Sequence, residues 1–366
     1  MTIGIGGAGS KLAAILDGDA TLINVSETEL NKVEGGGRRI IAPVSAANGQ
    51  FKGSRKSPQI GLDAYRALRR ELQEMVKGEK IFSSTGGGTG NGILTGILED
   101  LTQRESIPLE EKTFFGLVLP YAPMESSEFV LNTTEFLSGP LAEAIDSGNT
   151  GNVVLFSNRV KFEKKLSEEN YNRMLAESLK EFLAIPGKNE RYRLLDEHID
   201  YEDFASYLSK PYFNHFTSFH YDAGKSFGEQ LLAHANPLLL PPEEAIEAMF
   251  VLEVPRSGEA TKFYSILEYF VGNKVSPVYS VLENPELETP LVTVSLLYSR
   301  KPAELVEDFN RISEEHVQVK VERSLEQHIQ LPKLNVNLES EAKRVMSRKG
   351  QAQDDILATL KRLGKI

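Results

Sequence analysis

Between Ser84 and Leu98 the chain reads STGGGTGNGILTGIL, with five glycines among the seven residues from Gly86 to Gly92. Glycine in regular structure costs roughly 0.5–1 kcal/mol relative to alanine, so a cluster this dense marks backbone at positive φ or a close approach to the main chain. Before it stands KIFSST, a short apolar run of strand type. After it, Ile93, Leu94, Ile97, Leu98 and Leu101 recur at helical spacing. A strand, a glycine loop and a helix in that order turn several N–H groups toward one point. The helix end there carries about +0.5 of a charge, so the unit can hold an anion.

The first half of the chain alternates strands and helices. MTIGI, ATLINV, KIFSST, FFGLVLP and NVVLFS are short apolar runs, each followed by loop residues and then a helical pattern. This is the signature of a parallel, doubly wound sheet whose ligand sits beyond the carboxyl ends of the strands. One helix has clear limits: Ser57 as N-cap, Pro58 in the first turn, Leu62, Tyr65, Leu68, Leu72 and Met75 down one face, and Gly78 as the stop. A second, NYNRMLAESLKEFLAI, begins near Tyr171 and ends at Pro186-Gly187. Past about Phe216 the runs AMFVLEVP, SPVYSVLENP, PLVTVSLLYS and VQVKVER are longer and β-branched, with helical stretches such as GEATKFYSILEYF between them. They predict a second α/β domain with a mixed sheet.

Composition removes several classes of function. The chain has no cysteine, which excludes disulfides, thiol catalysis and thiolate metal sites, and its six histidines show no metal-ligand pairing. No apolar run approaches the ~20 residues of a membrane span, and MTIGI at the start leaves no room for a signal peptide, so the cytoplasm is the expected compartment. A formal net charge of −11 argues against coating nucleic acid with the whole surface. The final stretch from Glu339 reverses the balance, with seven basic side chains (Lys343, Arg344, Arg348, Lys349, Lys361, Arg362, Lys365) against four acidic ones. It reads as a solvated terminal helix or as a docking element for a subunit, a partner or DNA.

A second glycine segment, GIGGAG from Gly4 to Gly9, follows the first strand and matches the dinucleotide fingerprint G-x-G-x-x-G. A Rossmann dehydrogenase also wants an acid at the end of the second strand, where LINVSE offers Asn24, with Glu27 a few residues late. A Walker loop needs Lys-Ser or Lys-Thr after its last glycine, and the order here is Ser10-Lys11. Neither scheme accounts for two glycine loops on one sheet.

Two such loops, the second reading GGGTGNG, resemble the tubulin/FtsZ superfamily, whose signature is GGGTG[ST]G. The resemblance implies a Rossmann-like GTPase domain with a parallel sheet, a long central helix and a second α/β domain with a mixed sheet. It divides the chain into residues 1–170 (GTP binding), 171–214 (central helix and catalytic loop), 215–330 (second domain) and 331–366 (basic tail). It also implies GTP and GDP as ligands with Mg2+. The phosphates would lie among Gly6, Gly7, Ala8 and Gly9 and the run Gly86, Gly87, Gly88, Thr89, Gly90 and Asn91. Asn91 stands where the signature has a hydroxyl. In FKGSRKSPQIG, Gly53, Ser54 and Arg55 match the segment that senses the γ-phosphate. Asn24 closes the second strand beside the nucleotide. In LPYAPMESSEF the ribose acid is Glu125 in preference to Glu128; in FSNRV, Asn158 reaches the ribose or base; in NRML, Asn172 reads guanine with its amide. The stacking aromatic expected four residues before Asn172 is Glu168 here, leaving Tyr171 or Phe162 as substitutes, and core packing explains Tyr171 equally well.

Hydrolysis needs a placed water and a carboxylate, which the glycine loops do not supply. In the superfamily that acid arrives from the next subunit of a head-to-tail polymer, and LLDEHIDYEDFASYL provides Asp200 and Asp203, with His198 in place of an asparagine. A spacing of three puts both acids on one side of a helical turn, and the same residues read equally as an acidic, dipole-stabilised helix start. The starting strand, INVSETELNKV, FGLVLP and the basic C-terminus look most like the plasmid and phage, TubZ-type branch. That branch implies a dynamic filament moving DNA through an adaptor docked on the tail. FtsZ- or CetZ-like roles in division or shape, a non-polymerising nucleotide-binding homologue and an NAD-dependent oxidoreductase stand as alternatives.

Overall fold

The computed structural model describes residues 1–44, 53–54, 56–234 and 244–299, with Arg311, Glu314, Glu315 and Gln318 beyond them. In the first half β1 (Thr2–Ile5), β2 (Thr21–Asn24), β3 (Arg39–Ile41), β4 (Lys80–Ser84), β5 (Phe114–Leu119) and β6 (Val153–Ser157) are all parallel. Five of these are the apolar runs of the sequence. The unexpected β3 is a short edge strand whose residues are exposed or half-buried, so it carries no apolar signal. The second half adds β7 (Arg193–Asp196), β8 (Phe213–His220), β9 (Glu247–Val254), β10 (Pro277–Glu283) and β11 (Leu291–Tyr298). All eleven strands form one sheet in the order β3-β2-β1-β4-β5-β6-β8-β11-β9-β10-β7, parallel from β3 to β8 and mixed beyond, as the longer β-branched runs predict. Of VQVKVER only Gln318 is described, and the basic tail lies outside the described residues.

Helices cover both faces because successive residues of a strand point to opposite sides: Ile81 enters one core and Phe82 the other. On the first face lie α3 (Pro58–Met75), α4 (Gly88–Thr102), α5 (Ser127–Ser138), α6 (Pro140–Asp146), α11 (Phe227–Ala233) and α12 (Phe263–Gly272). On the other lie α1 (Gly6–Leu16), α2 (Glu27–Leu30), α8 (Glu168–Leu183), α9 (Ile185–Arg191) and α10 (Tyr201–Leu208), with α7 (Asn158–Glu163) packed against the same core through Val160.

Helix limits differ from expectation in informative ways. Ser57 occupies the N-cap position of α3 without a capping side-chain bond. The long helix α8 begins at Glu168, three residues before Tyr171, because Ser167 caps it by accepting from the Asn170 N–H at 3.1 Å. Pro186 does not end helical backbone; it opens α9, where a missing N–H has no consequence.

The two halves of the sheet meet through only two residue pairs of β6 and β8, Val153 with Phe213 and Val154 with Asn214. A buried amide network reinforces that seam. Asn152 Nδ2 donates to the carbonyls of Tyr207 (3.0 Å) and Lys210 (2.8 Å), and Asn214 Nδ2 donates to Asn152 Oδ1 at 2.7 Å. No helix among the described residues is long and apolar enough to cross a membrane.

Candidate functional site

From β1 the chain winds outward to β2 and β3, then returns to β4 on the opposite side of β1. Strand order therefore reverses between β1 and β4, the point at which doubly wound sheets bind ligands. Each of these two strands leads into a glycine segment and a helix N-terminus: β1 ends at Ile5 and α1 starts at Gly6; β4 ends at Ser84 and α4 starts at Gly88. Gly6 takes φ +71°, and a Cβ added there would sit 3.1 Å from the Gly90 nitrogen, so the two glycine segments touch. Two helix N-termini, whose first N–H groups have no partner within their own helix, converge there.

A cavity of about 210 Å³ opens beside them. Among the sequence-derived residues, Ala8, Gly86, Gly87, Glu125, Asn158, Tyr171 and Asn172 line it. Ser84, Val118, Pro120, Phe129, Lys161 and Glu168 complete the wall, and sequence reasoning assigned none of these to binding. Glu125 is held by the Tyr121 N–H at 2.6 Å and by Asn158 Nδ2 at 3.2 and 3.0 Å from its two oxygens. Glu128 instead pairs with Lys56 at 3.5 Å. Tyr171 is buried and donates to the Ser157 carbonyl at 2.8 Å, and burial, with Glu125 nearby, raises its hydroxyl above the ordinary tyrosine range. It is a fixed wall. Phe162 packs on Tyr121, ring centroids 6.0 Å apart, and does not line the cavity.

Other assigned residues stand behind the wall. Gly7 and Gly9 sit in the first turn of α1, where a Cβ on Gly9 would lie 2.1 Å from the Phe82 carbonyl oxygen, so Gly9 is what lets α1 press against β4. Gly88, Thr89 and Gly90 open α4. Asn24 accepts from the Ser26 N–H at 3.1 Å and donates to Glu29 Oε2 at 3.2 Å; that carboxylate oxygen lies 3.5 Å from where a Cβ on Gly7 would be. Gly53 and Ser54 precede α3 and are half-buried, and Arg55 lies outside the described residues.

Asn91 turns away from the cavity. Its Nδ2 donates to the Thr85 carbonyl at 2.6 Å and to the Asn132 carbonyl at 2.9 Å. Asn132 in turn donates to the carbonyls of Lys56 (2.9 Å) and Gly86 (2.8 Å). The two amides thus tie the second glycine segment, α5 and the segment before α3 together. Lys56 itself takes φ +63°, a left-handed backbone that a lysine rarely adopts. No sequence signal marked Asn132, because its role depends on carbonyls 46 and 76 residues away.

The two predicted acids lie at the other end of the strands. Asp200 is the N-cap of α10 and accepts from the Asp203 N–H at 2.7 Å; Asp203 is exposed in the first turn. Tyr201 and Phe204 of the same turn line a cavity of about 260 Å³ with Gly78, Lys80 and Phe114, which are at the amino ends of β4 and β5. The glycine-loop cavity includes Ser84, at the carboxyl end of β4. Four residue steps, roughly 13 Å of strand, separate these ends, more than an aspartate side chain spans.

A larger cavity of about 400 Å³ shares Tyr171 as a wall and is lined mainly by side chains such as Phe156, Met174, Leu175 and Phe216. It has no glycine loop, and burial pushes the His215 imidazole on its wall down to about 3, so that histidine is neutral. Convergent N–H donors favour the smaller cavity for an anionic ligand, whatever the volumes.

Eleven strands in this order, with two glycine segments at the β1/β4 switch point, make the tubulin/FtsZ fold. No family model and no curated protein matches the sequence. Solved structures do. The GTPγS-form protofilament of TubZ from Bacillus thuringiensis serovar israelensis is 14% identical, with a TM-score of 0.72 over 90% of this chain and 94% of that one. The GTPγS-bound protofilament of CetZ2 from Haloferax volcanii is 16% identical, with a TM-score of 0.62 over 86% and 98%. The empty FtsZ dimer of M. jannaschii is 18% identical, with a TM-score of 0.59 over 81% and 87%. At such identities the likeness establishes the fold.

Proposed function

We propose that the protein binds and hydrolyses GTP and assembles head to tail into dynamic filaments, each contact completing an active site. The observation that carries this reading is the separation of parts: an anion cradle at the carboxyl ends of the parallel strands and paired acids on α10 at their amino ends. Stacking one subunit on the next brings the acids of one over the cradle of its neighbour, a heterologous contact that does not close and so generates a filament. The neighbours solved as protofilaments and as a two-stranded filament support it.

In this reading the phosphates lie between the N-termini of α1 and α4, the ribose meets Glu125 and Asn158, and the base meets Asn172. Gly53, Ser54 and Arg55 approach the γ-phosphate. Asp203, and Asp200 beside it, orient the attacking water from the adjoining subunit. Among the described residues no cluster of three acids or histidines could hold a metal ion. Mg2+ in nucleotide sites needs only phosphates, waters and one or two protein oxygens, and Glu29 beside Gly7 has that chemistry. When bound, the ion would neutralise charge on the phosphates.

The division into residues 1–170, 171–214, 215–330 and 331–366 belongs to the same proposal. So does a cytoplasmic role in segregating plasmid or phage DNA, with the basic tail docking a DNA-binding adaptor. The TubZ structures among the neighbours and the tail's seven basic side chains support that role. The test is GTPase rate per molecule against protein concentration, read with sedimentation. The rate should rise with assembly, and a flat rate with no pellet would sink the shared-site reading.

A further inference from the structure

We propose that Glu168 is the specificity-determining residue of the cavity, reading the N1–H and N2–H edge of guanine with its carboxylate; the inference rests on the GTP-binding reading above. The helix N-termini of α1 and α4 set the phosphate end of the cavity, and the remaining wall mixes Val118, Pro120, Phe129 and Tyr171 with the polar side chains of Glu125, Asn158, Lys161, Glu168 and Asn172. Its one lining aromatic from α8, Tyr171, is fixed by its bond to the Ser157 carbonyl.

Glu168 and Asn172 stand four residues apart on α8 and therefore on one face of the helix, with both side chains at the cavity. Lys11 of α1 pairs with the carboxylate, Nζ to Oε1 at 2.9 Å, with both side chains about half exposed, while Oε2 has no hydrogen-bond partner among the described residues. A carboxylate is acceptor-only, and an amide offers both a carbonyl and an NH₂ group. Guanine presents two donors, N1–H and N2–H, next to an acceptor, O6. A carboxylate beside an amide NH₂ complements that edge. Adenine presents a bare N1 acceptor at the same place, which a carboxylate repels, so one pair of side chains both selects guanine and rejects adenine.

The test is equilibrium binding of GTP and XTP to the full chain by competition with a fluorescent nucleotide. In Glu168→Gln the side chain gains an NH₂ donor, which matches the C2 carbonyl of xanthine and opposes the N2–H of guanine. GTP affinity should fall about 10- to 100-fold and XTP affinity should rise. Glu168→Asp, which keeps the carboxylate, should retain the preference for GTP over XTP with weaker binding overall. Glu169→Gln, on a residue that pairs with Arg173 at 2.7 Å and does not line the cavity, should leave both affinities unchanged. A GTP-to-XTP ratio in Glu168→Gln equal to that of the unaltered protein would overturn the inference and leave the GTP reading standing. An unaltered protein that binds no guanine nucleotide would overturn both.

Discussion

Asn132 and Asn91 are the residues on which the shape of the second glycine segment turns. Between them they satisfy the carbonyls of Thr85, Gly86 and Lys56, and Asn91 Nδ2 also reaches the carbonyl of Asn132 itself. Replacing Asn132 by alanine removes the donor from two of those carbonyls, at a cost of about 0.5–1.5 kcal/mol, and removes a restraint on the left-handed backbone of Lys56. Chemical denaturation of Asn132→Ala should show that loss, and nucleotide affinity should fall with it. Asn91 explains its own departure from the GGGTG[ST]G signature: a serine or threonine hydroxyl could donate to one carbonyl, whereas the amide donates to two. Glu125 and Asn172 were singled out from short motifs, and both line the cavity. Asn132 and Lys161 were not, because nothing local distinguishes them from surface polar residues of a helix.

At the scale of elements, the glycines of STGGGTGNGILTGIL divide by what they face, and Gly90 packs against Ser83 and Ser84 of β4. Gly86 and Gly87 line the cavity. Gly88, Gly92 and Gly96, four residues apart on one face of α4, let α3 approach: a Cβ on Gly92 would lie 2.0 Å from the Pro58 carbonyl oxygen, and one on Gly96 would lie 2.1 Å from the Tyr65 ring. Gly96→Ala should destabilise the protein by about 1–3 kcal/mol, read by thermal or urea unfolding, without altering the cavity. The far ends of the same helices are joined by Asp100. It accepts from Arg69 at 2.6 and 3.0 Å, from Gln73 at 2.6 Å and from the Tyr65 hydroxyl. Burial pushes the Asp100 carboxyl up, but the donors prevail and hold it below its ordinary 3.8. A carboxylate with a lowered native pKa contributes stability that is complete above the unfolded value and fades as pH falls through the native one. Unfolding midpoints should therefore drop on acidification below about pH 3.8, and Asp100→Asn should flatten that limb while lowering stability at neutral pH.

Among the described residues one sheet separates the glycine loops from the paired acids of α10. Because Asp203 and the glycine loops face opposite ways along β4, neither end should be sufficient alone. Asp203→Ala should bind GTP, assemble and persist as filaments, since assembly needs binding and turnover needs hydrolysis. Wild-type hydrolysis in that variant would show the acid to be misassigned. A stronger expectation concerns mixtures. Combining Asp203→Ala with a glycine-loop variant that binds no nucleotide should restore hydrolysis above that of either alone, because each supplies the half the other lacks. Phosphate release measured across mixing ratios checks this, and strict additivity of the two separate rates would contradict it.

Local chemistry determined much of this protein. Apolar runs dictated the parallel strands, glycine density marked the segments that open α1 and α4 beside the cavity, and acidic spacing marked the first turn of α10. Boundaries that depend on a single cap, such as Ser167 before α8, and a strand with no apolar signal, β3, were beyond it. Only the tertiary structure decided which glycines face the cavity and which face a helix, and that Asn91 points away from the cavity. It also decided that the paired acids sit at the opposite end of the strands from the cavity. Each of those outcomes is set by groups distant in sequence and adjacent in space, and no periodicity or spacing along the chain encodes such a distance.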